Sequence, residues 1–423
     1  MKHLFLFSLT LAIIFSACST SQPITQATSP QVSEKIAPLV KVEVPSHSFD
    51  LDRLKRLDQF LEAEMAEDKL PGAVLLIHEK GQQVYYKSLG AKEKGVQLGM
   101  PQDELFYIQS MTKPIISVAF MMLYEEGHFQ LNDPIAKFLP EFAEMSVANS
   151  MNGNIESTPA SKPITIKHAL THTGGMLHGL NGTDLGNALY QKLYLSNPST
   201  IEERVKLLAS SPLIGEPGEQ WQYSASPDIL ARLIEVITGQ SPDQFLQERL
   251  FGPLGMTDTG YNIKPGQEAR KAILYSKQED GTLALHDMQT EASGYTVFGG
   301  THGLFSTAKD YMKFCDMLLN NGKVNGRQLI GRKTLELMTT DHLGEVSFAP
   351  GYGFGLGFAV VKDVVESGRL ATKGTYFWNG AYNTYFFVDP VNEVAAVMMM
   401  QFYPYDNSYA HKLKHFVTQA MID

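Results

Sequence analysis

The amino-acid sequence predicts an α+β fold, in which an antiparallel β-sheet is built from both ends of the chain and is flanked by helices. Apolar strand patterns lie near both ends, and helical periodicity dominates between them, at about residues 118–290. With 43% hydrophobic residues, a chain of 423 residues can bury a sizeable core. Helices inserted into a sheet protein leave a cleft between the two parts, where we expect the functional site.

The strand patterns form two groups. Residues 72–78 and 83–86 are apolar or aromatic runs on either side of a Lys-Gly pair, which predicts a hairpin. Residues 357–361, 382–388 and 394–400 predict three further strands, the last continuous enough in apolar residues to be buried.

The helical region contains clear start and stop signals. One helix is predicted to begin with Ser226 as N-cap and Pro227 in the first turn, and to end at Gly239. Its apolar positions repeat at helical spacing: Ile229, Leu230, Leu233, Ile234 and Ile237.

The N-terminus predicts export. A lysine and a histidine precede an apolar run over residues 4–15 that ends in small residues, so we assign residues 1–17 to a signal peptide. Cys18 follows at once and resembles the cysteine of a bacterial lipobox, which is lipidated and becomes the new N-terminus. A plain signal peptide is the alternative. On the first interpretation the protein is a periplasmic, membrane-anchored lipoprotein.

Residues 18–48 are rich in Ser, Thr, Gln and Pro, as expected of a lipid anchor followed by a flexible tether, and residues 49–423 then form the folded domain. With Cys18 lipidated, only Cys315 remains, so no intrachain disulfide forms; its apolar neighbours predict a core position. The net charge of −10 argues against nucleic-acid binding, and we expect no cofactor. A membrane partner is expected only through the lipid anchor.

The segment Ser110-Met111-Thr112-Lys113-Pro114 places a hydroxyl and an amine together. Residues three apart share a helix face, so Lys113 is expected beside Ser110. Proline is tolerated only near the first turn of a helix, so the helix must begin close to Ser110. Backbone N–H groups there favour an oxyanion, and an apolar setting lowers the pKa of a lysine. We predict Ser110 as a nucleophile with Lys113 as its base.

A second Ser-x-x-Lys pattern, Ser306 to Lys309, has a different context. It precedes an apolar run at helical spacing, and Thr307 and Asp310 have the spacing of a capping box. We interpret this copy as the start of a helix.

Further motifs follow Ser110 in a fixed order along the chain. They are Glu126-Gly127, Leu131-Asn132-Asp133-Pro134, the run from Ile166 to Gly175, Pro217-Gly218-x-x-Trp221-x-Tyr223-Ser224, Pro253-Leu254-Gly255-Met256 and Gly303-Leu304-Phe305-Ser306-Thr307. From about residue 50 to 420, the chain resembles the serine β-lactamase and penicillin-binding-protein superfamily. It is most similar to the class C-like branch and to family VIII carboxylesterases, which implies a β-lactamase-like fold.

The resemblance implies roles for further residues. Tyr223 matches the tyrosine of the second family motif, which passes a proton to the leaving group and later activates water. Trp378-Asn379-Gly380 matches the third motif, on the strand that borders the cleft and contacts the substrate. The N–H of Ala381, together with that of Ser110, is expected to form the oxyanion hole.

Two departures from the β-lactamase pattern bear on the substrate. Penicillin-recognising members have an asparagine two residues after the tyrosine, where this chain has Ala225, and Lys-Thr-Gly where it has Trp378-Asn379-Gly380. A contact to an amide and a cation facing a carboxylate are therefore missing. Ester hydrolysis requires neither, and the Trp-x-Gly form resembles that of the esterases.

We therefore predict an exported serine hydrolase that cleaves short-chain carboxylic esters through an acyl-enzyme on Ser110. One alternative is a β-lactamase or D-amino-acid peptidase that acts on amides; another is a non-catalytic binding or sensor protein. His168 and His172 are spaced like half of a metalloprotease motif, but the glutamate is lacking, so we assign them a loop-shaping role and expect no metal.

Overall fold

The computed structural model describes residues 48–96, 98–179 and 182–422; the predicted signal peptide, Cys18 and nearly all of the tether lie outside them. The α-helices are α1 (Leu51–Ala66), α2 (Thr112–Glu125), α3 (Ile166–Thr171), α4 (Asp184–Tyr190), α5 (Ile201–Ala209), α6 (Ser226–Thr238), α7 (Pro242–Leu246), α8 (Gly252–Leu254), α9 (Ala308–Leu319), α10 (Arg332–Met338), α11 (Val364–Ser367) and α12 (Asn407–Thr418). Shorter 3₁₀ or π turns are Gln109–Met111, Ile135–Lys137, Pro140–Phe142, Gln191–Leu195, Gln247–Phe251 and Glu268–Arg270.

Strands lie at both ends of the described chain and sparsely between. They are β1 (Gly72–Glu79), β2 (Gln82–Gly90), β3 (Phe106–Tyr107), β4 (Ser146–Ala148), β5 (Ser157–Pro159), β6 (Tyr275–Lys277), β7 (Leu283–Leu285), β8 (Phe305–Ser306), β9 (Lys323–Val324), β10 (Arg327–Gln328), β11 (Tyr352–Phe354), β12 (Ala359–Val361), β13 (Tyr376–Gly380), β14 (Thr384–Asp389), β15 (Val394–Met399) and β16 (Phe402–Tyr403).

The main sheet has the strand order β11-β12-β13-β14-β15-β1-β2, with antiparallel neighbours throughout. Strand β1, from the N-terminal part, therefore pairs with β15 from the C-terminal part, with Val74 opposite Met399. This confirms the predicted fold class and the predicted hairpin of β1 and β2. Strand β14 begins at Thr384, later than predicted, because residues 381–383 form a turn in which Asn383 has a φ of 66°.

Both faces of β1 are buried, because helices cover each side of the sheet. Val74 and Leu76 pack into a core shared with α2, α6 and α9, whereas Ala73, Leu75 and Ile77 pack on the opposite side with α1 and α12. The inserted region is mostly helical, as expected, but also contains the short hairpins β4–β5 and β6–β7. Within the described ranges, no helix is both long and apolar enough to cross a membrane.

The second Ser-x-x-Lys pattern forms a helix start, as predicted. Thr307 is the N-cap of α9, and its hydroxyl accepts a hydrogen bond from the N–H of Asp310 at 3.1 Å. The Asp310 carboxylate accepts from the N–H of Asp258 at 2.7 Å. Ser306 is fully buried, and Cys315 lies in the core, which confirms its predicted position.

The start of α6 differs slightly from the prediction. Ser226 is its first helical residue and Ala225 occupies the N-cap position, because the Ser226 hydroxyl donates to the carbonyl oxygen of Ala169 at 2.8 Å. Pro227 lies in the first turn, and Gly239 ends the helix with a φ of 73°, both as predicted.

Candidate active site

Ser110 lies in a 3₁₀ turn directly before α2. Gln109 precedes it with a φ of 47°, a conformation that non-glycine residues rarely adopt and that occurs often at functional sites. The helix α2 begins at Thr112, close to Ser110 as expected. The turn is held by the hydroxyl of Tyr311, which donates to the carbonyl oxygen of Met111 at 3.0 Å. This places Ser110 at the N-terminal end of a buried helix.

Two predicted site residues converge on the Ser110 hydroxyl. The Lys113 ammonium donates to Ser110 Oγ at 3.1 Å, and the Tyr223 hydroxyl donates to the same oxygen at 2.6 Å. The Lys113 Nζ also lies 4.5 Å from the centroid of the Tyr223 ring. The structure therefore brings together a hydroxyl, an amine and a phenol that are up to 113 residues apart in the sequence.

The Lys113 amine is almost fully removed from water. Its side chain is 1% exposed, and burial lowers its pKa from 10.5 to about 7, against a weaker opposing effect of Asp228. Its second hydrogen bond goes to the carbonyl oxygen of Thr301, at 2.8 Å. The Thr301 N–H in turn donates to Asp228 Oδ1 at 2.7 Å, so Asp228 holds the acceptor in place. At neutral pH a substantial fraction of Lys113 is thus uncharged and able to accept a proton.

The residues before and after Tyr223 are both hydrogen-bonded to His172. The N–H of Gln222 donates to the carbonyl oxygen of His172 at 2.9 Å, and the N–H of Ser224 donates to His172 Nδ1 at 3.3 Å. The ring of His178 stacks on the Tyr223 ring at 5.3 Å, with an angle of 7° between the planes. Burial raises the pKa of Tyr223, although a hydrogen bond with Ser110 lowers it in part. Tyr223 is therefore a protonated phenol near neutral pH.

Strand β13 reaches the turn before Ser110 through Gly380. A Cβ atom at Gly380 would collide with Thr384 Oγ1 and with the carbonyl oxygen of Ile108, so only glycine permits this approach. Gly380 thus lies against the backbone that leads into the turn of Ser110, and Ala381 is the next residue in the chain. β13 is an interior strand of the sheet, but its pairing with β12 involves only Tyr376 and Phe377, so residues 378–380 extend beyond that partner.

The indole of Trp378 completes an aromatic wall beside the hydroxyl cluster. Its ring lies 5.7 Å from the Tyr223 ring and 5.3 Å from that of Phe354. Asn379 follows on the opposite face of β13, opposite Tyr385 in the register. Ala225 is completely buried, and its methyl side chain has no polar atom that could bond a substrate.

The two histidines of the apparent half metal motif shape local structure. His168 caps α3: the N–H of Thr165 donates to His168 Nδ1, and the Thr165 hydroxyl accepts from the His168 N–H, each at 3.2 Å. His172 supports Tyr223 as described above. Among the residues that the structure describes, no group of three or more His, Cys, Asp or Glu side chains could hold a metal ion.

Sequence reasoning missed three contributors to the site: Thr301, Asp228 and His178. Thr301 acts through its backbone carbonyl, which carries no residue-type signal, and Asp228 acts through Thr301. His178 lies in an irregular segment where no periodicity fixes its position. The sequence offered one indication of these residues, the presence of Asp228 in the first turn of a predicted helix.

The fold and the clustered serine, lysine and tyrosine define the class of protein, a serine hydrolase of β-lactamase fold. The chain belongs to the beta-lactamase family, whose family model matches residues 57–417.

Proteins similar to this chain include one named as an esterase and one named as a putative carboxypeptidase. The chain is 32% identical to Protein Rv1367c of Mycobacterium tuberculosis over 79% of its own length and 86% of the relative's. Esterase EstB of Burkholderia gladioli is 27% identical, with coverages of 81% and 89%. A putative D-alanyl-D-alanine carboxypeptidase of Escherichia coli K12 is also 27% identical, with coverages of 94% and 90%.

Among solved structures, EstCE1, described as a hydrolase with promiscuous acyltransferase activity, has a TM-score of 0.73 at 23% sequence identity. The match covers 87% of this chain and 99% of EstCE1. At this identity the likeness shows the common fold.

Proposed function

We propose that the protein is an exported, lipid-anchored carboxylesterase that hydrolyses short-chain esters through an acyl-enzyme on Ser110. One observation carries this proposal: Ser110 Oγ lies within hydrogen-bond distance of both a buried amine with a lowered pKa, Lys113, and a protonated phenol, Tyr223. This set supplies a nucleophile, a base and an acid at one point. The name of the relative EstB supports the ester class.

The pKa shifts of Lys113 and Tyr223 indicate which of the two is the base. Attack requires a group that takes the proton of Ser110 near neutral pH, and Lys113, with a pKa of about 7, is partly uncharged there. Tyr223 would have to be a phenolate to accept that proton, which its raised pKa opposes. We therefore assign the first proton transfer to Lys113 and the later donation to Tyr223.

The reaction then balances with no other reactant than water. Ser110 Oγ bonds to the ester carbonyl carbon while its proton passes to Lys113, and the N–H groups of Ser110 and Ala381 stabilise the oxyanion. Collapse breaks the bond to the alcohol oxygen, which takes a proton from Tyr223, and Tyr223 is reprotonated from Lys113. Water then attacks the acyl carbon while one of its protons passes to Lys113. The bond between the acyl carbon and Ser110 Oγ breaks, and Oγ takes up that proton, which releases the acid and restores Ser110.

The residues around the reacting centre favour esters over β-lactams or peptides. Trp378 provides an apolar wall at the position where penicillin-recognising members of the superfamily have a lysine. Ala225 is buried and has no polar atom in its side chain. The missing contact between a cation and a carboxylate is worth about 1.5–3 kcal/mol, and the missing neutral contact to an amide about 0.5–1.5 kcal/mol. If the two act independently, the deficit is roughly 30-fold to 2,000-fold in kcat/KM for a β-lactam.

An amidase remains the second candidate, because of the resemblance to a putative D-alanyl-D-alanine carboxypeptidase over most of both chains. The third, a non-catalytic sensor, has less support, since a binding protein has no need to keep Ser110, Lys113 and Tyr223 in contact.

A substrate panel distinguishes the candidates. We expect nitrophenyl butyrate to be hydrolysed and a cephalosporin and D-alanyl-D-alanine peptides to be cleaved slowly or not at all, with Ser110→Ala as the inactive control. A kcat/KM for the cephalosporin or a peptide equal to that for nitrophenyl butyrate would move the protein to the amidase class. Retention of substrate without turnover would favour the sensor.

A further inference from the structure

A cavity of about 230 Å³ lies beside the proposed catalytic residues. Its wall includes His302 and Gly303, directly after Thr301, whose carbonyl oxygen accepts a hydrogen bond from Lys113. Tyr194 forms another part of the wall, with its ring 5.4 Å from that of His302. The segment from Thr301 to Gly303 thus links the wall of this cavity to the acceptor of the Lys113 amine.

Tyr194 also connects this cavity to Tyr223. The Tyr194 ring lies 6.1 Å from that of His178, and His178 stacks directly on Tyr223. The His178 ring therefore contacts both the Tyr194 ring in the cavity wall and the Tyr223 ring at the hydroxyl cluster.

Arg204 lines the cavity and forms an ion pair with Asp228, but no hydrogen bond with it. The residue is 9% exposed, and the nearest carboxylate oxygen, Asp228 Oδ2, lies 3.7 Å from its Nη1, too far for a hydrogen bond. Its Nε is buried with no hydrogen-bond partner in the described part of the chain, and the same is true of the Tyr194 hydroxyl. A buried guanidinium with open N–H donors is costly unless an acceptor is supplied.

The charges around the cavity favour an anionic acceptor. Burial lowers the pKa of His302 and that of His178, with the positive charge of Arg204 adding to the effect, so both imidazoles are neutral near pH 7. Asp228 is completely buried and is not one of the residues that line the cavity. Arg204 is thus the permanent cation among the described residues that line the cavity, and its planar N–H groups fit a carboxylate in a two-bond contact.

We propose that this cavity is a carboxylate-binding subsite formed by Arg204 and Tyr194, and that the preferred substrates are esters with a free carboxylate away from the scissile bond. The proposal rests on the esterase function of Ser110 and specifies its substrate class. The Tyr107 hydroxyl, which is hydrogen-bonded to His302 at 3.1 Å, lies in the same wall.

Matched ester pairs test the proposal on either side of the scissile bond. On the acyl side, 4-nitrophenyl hydrogen adipate is compared with 4-nitrophenyl hexanoate; on the alcohol side, 4-butyryloxybenzoate is compared with its methyl ester. We expect the wild type to prefer the acidic member of at least one pair by roughly tenfold or more in kcat/KM, as for a charge-assisted hydrogen bond. Equal rates, or a preference for the neutral member in both pairs, would overturn the proposal.

Variants then locate the preference. Arg204→Gln should reduce the ratio of acidic to neutral rates by roughly tenfold to a hundredfold, and Tyr194→Phe, which removes only a hydroxyl, by roughly twofold to tenfold. The matched control is Arg232→Gln: Arg232 is also partly buried but pairs with Glu202 and Glu235. Its ratio should stay at the wild-type value, and an equal fall in this control would refute the assignment.

A binding measurement separates this proposal from the esterase function. Adipate should bind to wild-type protein in calorimetry, and more weakly to Arg204→Gln by the same factor as the rate ratio. If no ester is hydrolysed but adipate binds in this way, the esterase function fails and the subsite stands. If esters are hydrolysed but neither the rate ratio nor adipate binding depends on Arg204, the subsite is refuted and the esterase function stands.

Discussion

Replacing Lys113 by methionine should abolish activity and at the same time stabilise the protein near neutral pH. Burial lowers the pKa of Lys113 from 10.5 to about 7, a difference of about 3.5. Because the unfolded chain keeps the ordinary pKa, at about 1.36 kcal/mol per pKa unit the buried amine destabilises the folded state by roughly 5 kcal/mol at or below pH 7. Its hydrogen bonds to Ser110 and Thr301 offset about 2 kcal/mol of this. Lys113→Met should therefore be more stable by about 3 kcal/mol at pH 7.

The difference in stability between Lys113→Met and the wild type should depend on pH. A lysine whose pKa is lowered in the folded state reduces the free energy of unfolding most at pH values below that pKa. This reduction becomes smaller as the pH rises from about 7 towards 10.5. The stability advantage of Lys113→Met should shrink over this range. It should reverse at high pH, where the amine is uncharged in both states and the variant has only lost the hydrogen bonds of Lys113. Thermal unfolding of both proteins at several pH values between about 6 and 10 measures it. A difference that is independent of pH, or a less stable variant near pH 7, would refute the desolvated-amine argument.

Three further predictions address other parts of the account. Tyr223→Phe should lower kcat for nitrophenyl butyrate by roughly two to four orders of magnitude, because the leaving group and the water lose their proton relay; a change below tenfold would exclude this role. Gly380→Ala should lower both melting temperature and kcat, since the new methyl group meets the carbonyl oxygen of Ile108 and displaces the turn before Ser110; unchanged values in thermal unfolding and kinetics would contradict it. In a bacterial host, the wild type should partition with membranes and Cys18→Ala should not acquire lipid, as followed by metabolic lipid labelling; a soluble wild-type product cut elsewhere would show a plain signal peptide.

Local sequence patterns predicted the fold well where a strand is apolar throughout or where a helix has clear residues at its start and its end. The continuous apolar run of β15 and the Pro227 and Gly239 signals of α6 are examples, because burial on both faces and helix termination leave direct marks in the sequence. Boundaries were less accurate. The N-cap of α6 lies at Ala225 because a tertiary hydrogen bond from Ser226 to Ala169 overrides the local capping preference.

The site was predictable only as far as side chains carry its chemistry. Ser110 and Lys113 are three residues apart on one turn, so their contact follows from helix geometry. Thr301 reaches Lys113 across 188 residues through a backbone carbonyl, which every residue type possesses. The stacking of His178 on Tyr223 depends on the path of a loop, for which the sequence has no periodic signal.

The central claim is that the acyl group of an ester is transferred to Ser110. Rapid quenching of the enzyme during turnover of nitrophenyl butyrate, followed by peptide mass spectrometry, tests it directly. We predict a butyryl adduct on the peptide that contains Ser110, its loss in Ser110→Ala, and its accumulation if Tyr223→Phe slows attack by water. Turnover by the wild type with the adduct on another residue, such as Ser306, or hydrolysis that persists in Ser110→Ala, would contradict the account.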